Sequence, residues 1–421
     1  MDRGIKPPHT LLPVSCIPAW KGGIIYICRM YYVGIDIGKR MHELTAIDEK
    51  GNIVSKSIRF GNDRVGFEKL LSFVSAVSPE KQSVQFALES TGHYWLVLYH
   101  FLTNAGFTVL VLNPLQTEGQ RRSHIRKTKT DKKDSLIIAK LLRLGDIHIS
   151  YVPSADIFHL RDLVRFRFGL SDSLGDLKRK VISILDKVFP EYEKLFSNIF
   201  IKTSKTMLQE NWSLSELASM DLSKLTAVLK KESHGHFGLE KAQEIQSLAT
   251  TSVGLSFLQE ASKIELSCLM QHISFIEKQL IVVDMHIVDL YQKGTFNKHL
   301  LTIPGINKLL AAGIVSEIGD IARFTSETAI VAFSGLDPSV YQSGEYQGTI
   351  SHVSKRGSAH LRRYLWLATE TARKKNPDLE TYFKKKLSQG KQYNVAYGAT
   401  VRKLLIRVYT VLKENRPYVI R

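Results

Sequence analysis

Residues 31–60, YYVGIDIGKRMHELTAIDEKGNIVSKSIRF, decide the fold because they predict three consecutive β-strands. Tyr31–Ile37, His42–Asp48 and Asn52–Phe60 alternate or run apolar with β-branched residues, and Gly51-Asn52 is typical of a hairpin turn. Further along the chain, the pattern predicts a helix, a strand, a helix and a strand at 67–77, 84–88, 94–105 and 107–112. A strand meander followed by alternating strands and helices predicts a mixed α/β sheet domain.

The rest of the chain is predicted to be helical. Apolar residues spaced three and four apart at 163–188 and 266–290 are typical of a coiled coil. These segments are expected to pair with each other as an antiparallel arm or with a second subunit. The predicted organisation is a disordered leader or mis-assigned start (1–29), a sheet domain (30–150), a helical assembly region (151–295) and a mostly helical C-terminal domain (296–421).

The composition favours a nucleic-acid partner. The 421 residues include 58 Lys and Arg against 40 Asp and Glu, which gives a formal net charge of +18. A protein with such an excess of positive charge usually binds a polyanion. A basic protein of a membrane surface is the weaker alternative. An apolar fraction of 44% excludes global disorder, and three cysteines exclude a disulfide framework. The small number of cysteines is typical of a reduced, intracellular protein. No apolar run reaches the length of a membrane span.

Four acidic residues are candidates for a metal site. Asp36 lies in an apolar strand, Glu89 ends a buried strand, and Asp131 and Asp134 share one side of a helix start. Such carboxylates would repel one another, and Mg²⁺, which prefers hard oxygen ligands, would relieve the repulsion. Each acid also has a structural interpretation, since Asp36 could cap a turn and acids at a helix start suit its dipole.

Three further segments are candidate phosphate contacts. Residues 121–133 hold seven basic residues and are a solvated loop or a phosphate track: Arg121, Arg122, Arg126, Lys127, Lys129, Lys132 and Lys133. Leu301–Asn307 contains a Pro-Gly turn before a helix, which is an ordinary turn or a phosphate-binding hairpin. Ser343 lies in a polar Gly- and Ser-rich segment, and the composition around it identifies no general base. Downstream basic residues that could hold the same phosphate are Lys355, Arg356, Arg362 and Arg363.

The order of these motifs resembles the one-ten family of insertion-sequence transposases, recombinases guided by a bridge RNA. The resemblance runs from about Tyr32 to near the C-terminus. It rests on motifs that are common singly but specific in this order: Gly-Ile-Asp-Ile-Gly (34–38), Ala-Leu-Glu-Ser-Thr-Gly (87–92), Lys-Thr-Asp-Lys-Lys-Asp (129–134), Ile-Pro-Gly-Ile (303–306), Gly-Leu-Asp-Pro (335–338), Gln-Ser-Gly (342–344) and Ser-Lys-Arg-Gly (354–357).

The resemblance implies a RuvC-like (RNase H-like) domain whose four acids bind Mg²⁺, a coiled-coil arm, and a C-terminal transposase domain with Ser343 as nucleophile. It implies that this serine forms a covalent link to a DNA phosphate and that the acids complete the active site across subunits. The implied partners are donor and target double-stranded DNA, a structured guide RNA, and further copies of the chain in a dimer or tetramer. The implied location is the prokaryotic cytoplasm, in association with the nucleoid.

Other functions remain open at this point. A metal-dependent junction resolvase would use the same acids with water as the nucleophile. A non-catalytic nucleic-acid scaffold would explain the charge and the coiled coil but not the acids. An actin-like kinase is disfavoured, because the sequence lacks the second Asp-Gly phosphate loop that such an enzyme needs.

Overall fold

The computed structural model describes residues 29–122, 131–145, 147, 149–339 and 352–420, and the backbone alone at 20–21, 24–25, 121–122, 342–343 and 346–347. The chain forms two compact units, Met1–Val152 and Pro153–Arg421. Most of the predicted leader (1–29) lies outside the described residues. In the described part of the chain, no helix combines the length and the apolar character needed to cross a membrane.

The first unit is built on a five-stranded mixed sheet, which confirms the predicted α/β class. Its strands lie in the order β3-β2-β1-β4-β5; β1 pairs antiparallel with β2 and parallel with β4. The strand bounds are Tyr31–Asp36 (β1), Met41–Ile47 (β2), Ile58–Gly61 (β3), Val84–Glu89 (β4) and Thr108–Leu112 (β5). The third strand is shorter than predicted, because residues 54–56 have exposed side chains and no apolar face to bury.

The two faces of this sheet differ. On one face, His42 stacks on Phe67 of helix α1, Arg64–Val77, and helix α2, Trp95–Asn104, covers the same side through Phe101. Helix α3 spans Pro114–Arg122, so the N-terminal part of the predicted basic segment is helical. Helix α4, Asp131–Leu144, lies on the opposite face.

Gly34 allows helix α4 to lie directly on β1. A Cβ atom at this position would be 2.2 Å from the carbonyl oxygen of Ser135 and 2.3 Å from the backbone nitrogen of Ala139. The side chains of Thr45 and Ser135 are buried beside this contact and share a hydrogen bond of 2.7 Å. The helix that carries two of the candidate acids is therefore held at backbone contact distance from the sheet.

The second unit is helical. Its helices are α5 (Ala155–Val188), α6 (Tyr192–Leu195), α7 (Lys202–Glu210), α8 (Leu214–Ser219), α9 (Leu222–Glu232), α10 (Leu239–Thr251), α11 (Gln259–Lys293), α12 (Lys308–Ile318), α13 (Glu327–Ser334), α14 (Ala359–Lys375), α15 (Pro377–Ser388) and α16 (Tyr393–Glu414). Two short strands, β6 (Gln342–Ser343) and β7 (Tyr346–Gln347), pair antiparallel.

The two predicted coiled-coil segments pack against each other within one chain. Helices α5 and α11 run antiparallel, because residues 157–168 share an apolar cluster with 283–291, and residues 181–188 share another with 266–273. Arg167 forms an ion pair with Asp284 across the pair. Of the two pairings that the heptads allowed, the structure shows the internal one. The first cluster, which we call the base cluster, also contains residues 300–412, and the second, the tip cluster, contains residues 189–249.

Candidate active site

Three carboxylates lie in one row across the sheet. The parallel register pairs Ile35 with Leu88, so Asp36 and Glu89 follow side by side at the carboxyl ends of β1 and β4. The antiparallel register pairs Asp36 with Glu43 of β2. Residues directly opposite each other across a sheet project to the same face, with Cβ atoms about 4.5–5.5 Å apart in antiparallel pairs. Glu43, Asp36 and Glu89 are thus neighbours on one face of three adjacent strands.

Helix α4 brings its first turn toward this row. Ser135 and Ala139 lie over Gly34, two residues before Asp36, and Arg143 near the other end of the helix donates a hydrogen bond to Glu49 O, beyond the end of β2. The helix therefore runs away from the Asp36 edge, and its N-terminus points back to that edge. Its first turn carries Asp134, which is 3% exposed, and Asp131, which is exposed.

Two hydroxyl groups orient Glu89. Thr117 of α3 donates from Oγ1 to Glu89 Oε2 at 2.7 Å, and Thr91 donates to Oε1 at 3.1 Å. Thr117 is fully buried and Glu89 is 6% exposed, so this carboxylate is held in one orientation. Sequence reasoning missed Thr117 because its contact with Glu89 depends on how α3 packs.

The acids are neighbours without forming a closed coordination set. Across the described ranges, no group of three or more His, Cys, Asp or Glu side chains is arranged so that it could hold a metal ion. What the fold brings together is Asp36, Glu43 and Glu89 in a row, with Asp134 at the same edge. Asp131 stands at the exposed end of the helix. The donor atoms are oxygens only, which is the chemistry that a hard divalent cation selects.

The predicted phosphate contacts have different surroundings. Lys132, Lys133 and Lys355 are exposed. Arg362 donates to Ser334 O at 2.8 Å, and Arg363 forms a two-pronged ion pair with Asp172. The remaining candidates lie outside the described residues or have only a described backbone: Arg121, Arg122, Arg126, Lys127 and Lys129.

Two of the sequence motifs meet at the base of the segment that carries Ser343. Ser339 N donates to His352 O at 2.7 Å, Ser354 N to Asp337 O at 2.8 Å, and Ser358 N to Phe333 O at 2.8 Å. We call these contacts between residues 333–339 and 352–358 the ladder. The side chain of Ser343 lies outside the described residues, and its backbone belongs to β6.

Polar side chains around Asp337 also join the two segments of the ladder. The hydroxyl of Ser354 and the guanidinium of Arg356 both donate to this carboxylate. The hydrogen bond from Ser354, supported by that from Arg356, holds the pKa of Asp337 below its ordinary value. Arg356 is therefore paired, although its side chain is largely exposed.

Two glycines let the halves of the ladder approach. Gly335 and Gly357 have backbone φ angles of +67° and +77°, which lie in the left-handed region that residues with a Cβ atom rarely adopt. A Cβ atom at Gly335 would be 2.0 Å from Arg356 O, and one at Gly357 would be 2.0 Å from Phe333 O. The Gly-Leu-Asp-Pro and Ser-Lys-Arg-Gly motifs thus pack against each other.

The Pro-Gly turn at 304–305 makes internal contacts. Thr371 of α14 donates to Gly305 O at 2.7 Å, and a Cβ atom at Gly305 would be 2.5 Å from the backbone of Ala372. The side chain of Asn307 accepts a hydrogen bond from Leu310 N and caps α12. These contacts favour the interpretation of this motif as a structural turn.

Two family models match separate parts of the chain. Residues 33–190, which include all four predicted acids, match a model for the DEDD transposase domain of the IS110 type, described as a transposase. Residues 297–384, which include Ser343, match a model described as the transposase IS116/IS110/IS902 family. Together the two models cover more than half of the chain.

Similar proteins match over nearly the whole length. The 44.8 kDa protein of insertion element IS116 from Streptomyces clavuligerus is 22% identical, over 91% of this chain and 95% of that protein. The pilin gene-inverting protein of Moraxella bovis is 23% identical, over 92% of this chain and 97% of that protein. The mini-circle putative transposase for IS117 from Streptomyces coelicolor is 21% identical, over 95% of this chain and 96% of that protein. The chain belongs to the IS110/IS116/IS902 family of transposases, enzymes that recombine DNA.

Proposed function

We propose that this transposase cleaves and rejoins DNA strands through a covalent bond between Ser343 and a DNA phosphate, with Mg²⁺ held by Asp36, Glu89, Asp131 and Asp134. One observation carries the proposal. Asp36 and Glu89 lie side by side at the carboxyl ends of β1 and β4, and the first turn of α4 points toward them. We propose a RuvC-like (RNase H-like) fold for this unit, which its mixed sheet and strand order support.

The four carboxylates would bind the cation, and two threonines would orient Glu89. The oxygen-only donor set fits a divalent ion, and the DEDD family model points to divalent-metal dependence. Mg²⁺, when bound, supplies a Lewis acid for the phosphoryl oxygens. Thr117 and Thr91 keep both oxygens of Glu89 in place. The close contact at Gly34 keeps the first turn of α4 at the same edge.

The proposed chemistry balances without an external energy source. Ser343 Oγ attacks the phosphorus, the bond from phosphorus to the leaving deoxyribose oxygen breaks, and that oxygen takes up a proton while the serine proton passes to water. The hydroxyl of a second strand then attacks the phosphoserine, which restores a phosphodiester and frees the serine. Because the phosphoester bond is kept throughout, rejoining needs no ATP.

Neighbouring serines are weaker candidates for this role. The Ser354 hydroxyl donates to Asp337, and the Ser339 hydroxyl donates to His352 O, so both hold the ladder together. Ser351, like the side chain of Ser343, lies outside the described residues. We select Ser343 because it occupies the Gln-Ser-Gly motif on which the family resemblance rests.

We propose nucleic acid and further copies of the chain as partners. The net charge of +18 suits donor and target DNA and a structured guide RNA. Lys132, Lys133 and Lys355 are exposed and would contact phosphates. Such an enzyme would act on nucleoid DNA in a prokaryotic cytoplasm. Assembly into a dimer or tetramer is supported by apolar side chains that α11 leaves exposed: Ile264, Phe275, Ile281, Val282 and Met285.

A trapped adduct tests the proposed function. The protein, loaded with the RNA that copurifies with it, is incubated with Mg²⁺ and nicked DNA from the element end, then denatured. We expect a protein–DNA adduct whose mass maps to the peptide containing Ser343. Ser343→Ala should bind DNA equally but form neither adduct nor recombinant, whereas the matched control Ser339→Ala should retain the adduct.

Two results would contradict this proposal in different ways. An adduct mapped to another residue moves the nucleophile to that residue. Strand cleavage with no adduct in the wild type assigns the attack to water, and the protein would then act as a resolvase-like nuclease. Sequencing the copurified RNA, and comparing it with the DNA around the element, tests guidance separately.

A further inference from the structure

Glu43 is a buried carboxylate that neither the four-acid set nor the proposed chemistry uses. It lies in the middle of β2 and is 5% exposed. Among the described residues, its carboxylate has no hydrogen-bond or ion-pair partner. Arg59 stands directly opposite on β3, but its side chain is exposed and forms no ion pair with Glu43.

The position of Glu43 is set by the sheet. Its register partner is Asp36, and the next residue of β2 on the same face, Thr45, bonds to Ser135 of α4. Glu43 therefore projects to the face that α4 covers, next to Asp36 and on the side away from Glu89. The adjacent residue His42 projects to the other face, where it stacks on Phe67.

This arrangement is unfavourable without a cation. Burial of a carboxylate that lacks a partner costs free energy, since the charge loses most of its water and gains no compensating bond. Like charges directly opposite each other on a sheet are destabilising as well. Both costs disappear when one divalent cation binds the two carboxylates, because it supplies the missing partner and cancels the repulsion.

We propose that Glu43 is a fifth carboxylate of the metal site and binds the same divalent cation as Asp36. The inference rests on the proposed function, because it extends the site that we assign to Asp36, Glu89, Asp131 and Asp134. Glu43 closes the β2 side of the site, Glu89 closes the β4 side, and Asp36 lies between them.

Cation binding by the intact chain tests the assignment without any DNA reaction. The titrant is Mn²⁺ alone, and free Mn²⁺ is followed by electron paramagnetic resonance while calorimetry records thermal unfolding with and without the ion. The variants are Glu43→Gln, Glu43→Asp and Asp36→Asn. Glu68→Gln is the matched control, because it removes one charge from an exposed side chain of α1 in the same unit.

We expect Glu43→Gln to weaken Mn²⁺ binding by at least about tenfold, since even residues that only orient a metal ligand change affinity by about 10–100-fold. Without the ion, the same variant should unfold about 2 °C or more above the wild type, because it removes the repulsion from Asp36. Glu43→Asp, which keeps the charge on a shorter side chain, should bind with intermediate affinity. Glu68→Gln should match the wild type.

The outcomes separate the inference from the proposed function. If Glu43→Gln binds Mn²⁺ like the wild type while Asp36→Asn does not, Glu43 is no ligand and the four-acid site stands. If both variants bind like the wild type, the metal site itself is wrong. A lower unfolding temperature of Glu43→Gln without the ion would mean a structural role. Should that variant not fold, wild-type affinity in Glu43→Asp overturns the inference, and a loss of threefold or more supports it.

Discussion

Replacing Gly34 by alanine tests how closely helix α4 must lie on the sheet. The new methyl group would sit 2.2 Å from Ser135 O and 2.3 Å from Ala139 N, whereas ordinary contacts begin near 3.4 Å. Both neighbours are backbone atoms, so no side chain can rotate away and the helix must retreat by about 1 Å. Gly34 does not have a positive φ, so the steric contact alone makes alanine unfavourable here.

The expected cost combines two contributions. Overpacking a tightly packed interior costs about 1–3 kcal/mol. A retreat of the helix also stretches the buried hydrogen bond between Thr45 and Ser135, and a buried hydroxyl that loses its partner costs about 1–3 kcal/mol. We therefore expect Gly34→Ala to lower the free energy of unfolding of the first unit by about 3 kcal/mol, a large part of the about 5–15 kcal/mol typical of a domain.

Urea unfolding measures the loss, and hydrogen exchange of the amides at 131–144 localises it to α4. The matched control is Gly119→Ala on α3, where a Cβ atom would have no neighbour within 4 Å and where alanine should stabilise the helix by about 0.5–1 kcal/mol. If the free energy of unfolding of Gly34→Ala lies within about 0.5 kcal/mol of that of this control, and if hydrogen exchange in α4 is unchanged, then the close approach of α4 to β1 is not needed to hold the helix.

Two further predictions concern the second unit. Burial by itself raises the pKa of Glu317, but the hydrogen-bonded guanidinium of Arg165 outweighs it and holds the pKa below the ordinary 4.5. The pair therefore stabilises the fold above about pH 4.5 and loses this effect as pH falls through the lowered pKa. In urea unfolding, Glu317→Gln should be about 2 kcal/mol less stable than the wild type at neutral pH. If this difference in the free energy of unfolding does not become smaller in acid, the ion pair of Glu317 and Arg165 is not its cause. On α11, replacing both Phe275 and Val282, whose side chains are exposed, by serine should lower the molar mass in light scattering. Leu239→Ser is the control on α10, and an unchanged mass would exclude this face from assembly.

Periodicity predicted the elements that have a regular apolar face. The strands at 31–36, 41–47, 84–89 and 108–112 and the two long helices follow it closely. The third strand was predicted too long, because residues 52–57 have β-type composition but no core to cover. Helix α15 lies in the region predicted to be mostly helical, and Asn376 as the cap and Pro377 at the first helical position are together a clear signal for its start.

The candidate site was predictable only in part. Asp36 and Glu89 at strand ends could be expected to adjoin, because parallel strands end at the same edge. Glu43 was accessible in principle, since alternation along β2 and the short connection from β1 place it opposite Asp36. It was missed because it is the only acidic residue of this strand and belongs to none of the quoted motifs. The contacts of Thr117 and Asp337 arise from tertiary packing and leave no pattern in the sequence.

Val283 of α11 illustrates the same limit. The heptad pattern identified this residue as part of an apolar seam but did not show which helix covers it. In the structure Val283 is buried in the base cluster, within the chain. The side chains that α11 leaves exposed are at other positions of the helix, such as Phe275.

The antiparallel pairing of α5 and α11 makes the second unit modular. The tip cluster and the base cluster lie at opposite ends of the pair, and the described residues of the ladder, Phe333 and Leu336 among them, pack against the base cluster. Parts of a protein that have separate cores can open and close independently. Substitutions within residues 192–258 are therefore expected to change the stability of the tip cluster and to leave the ladder at the base intact.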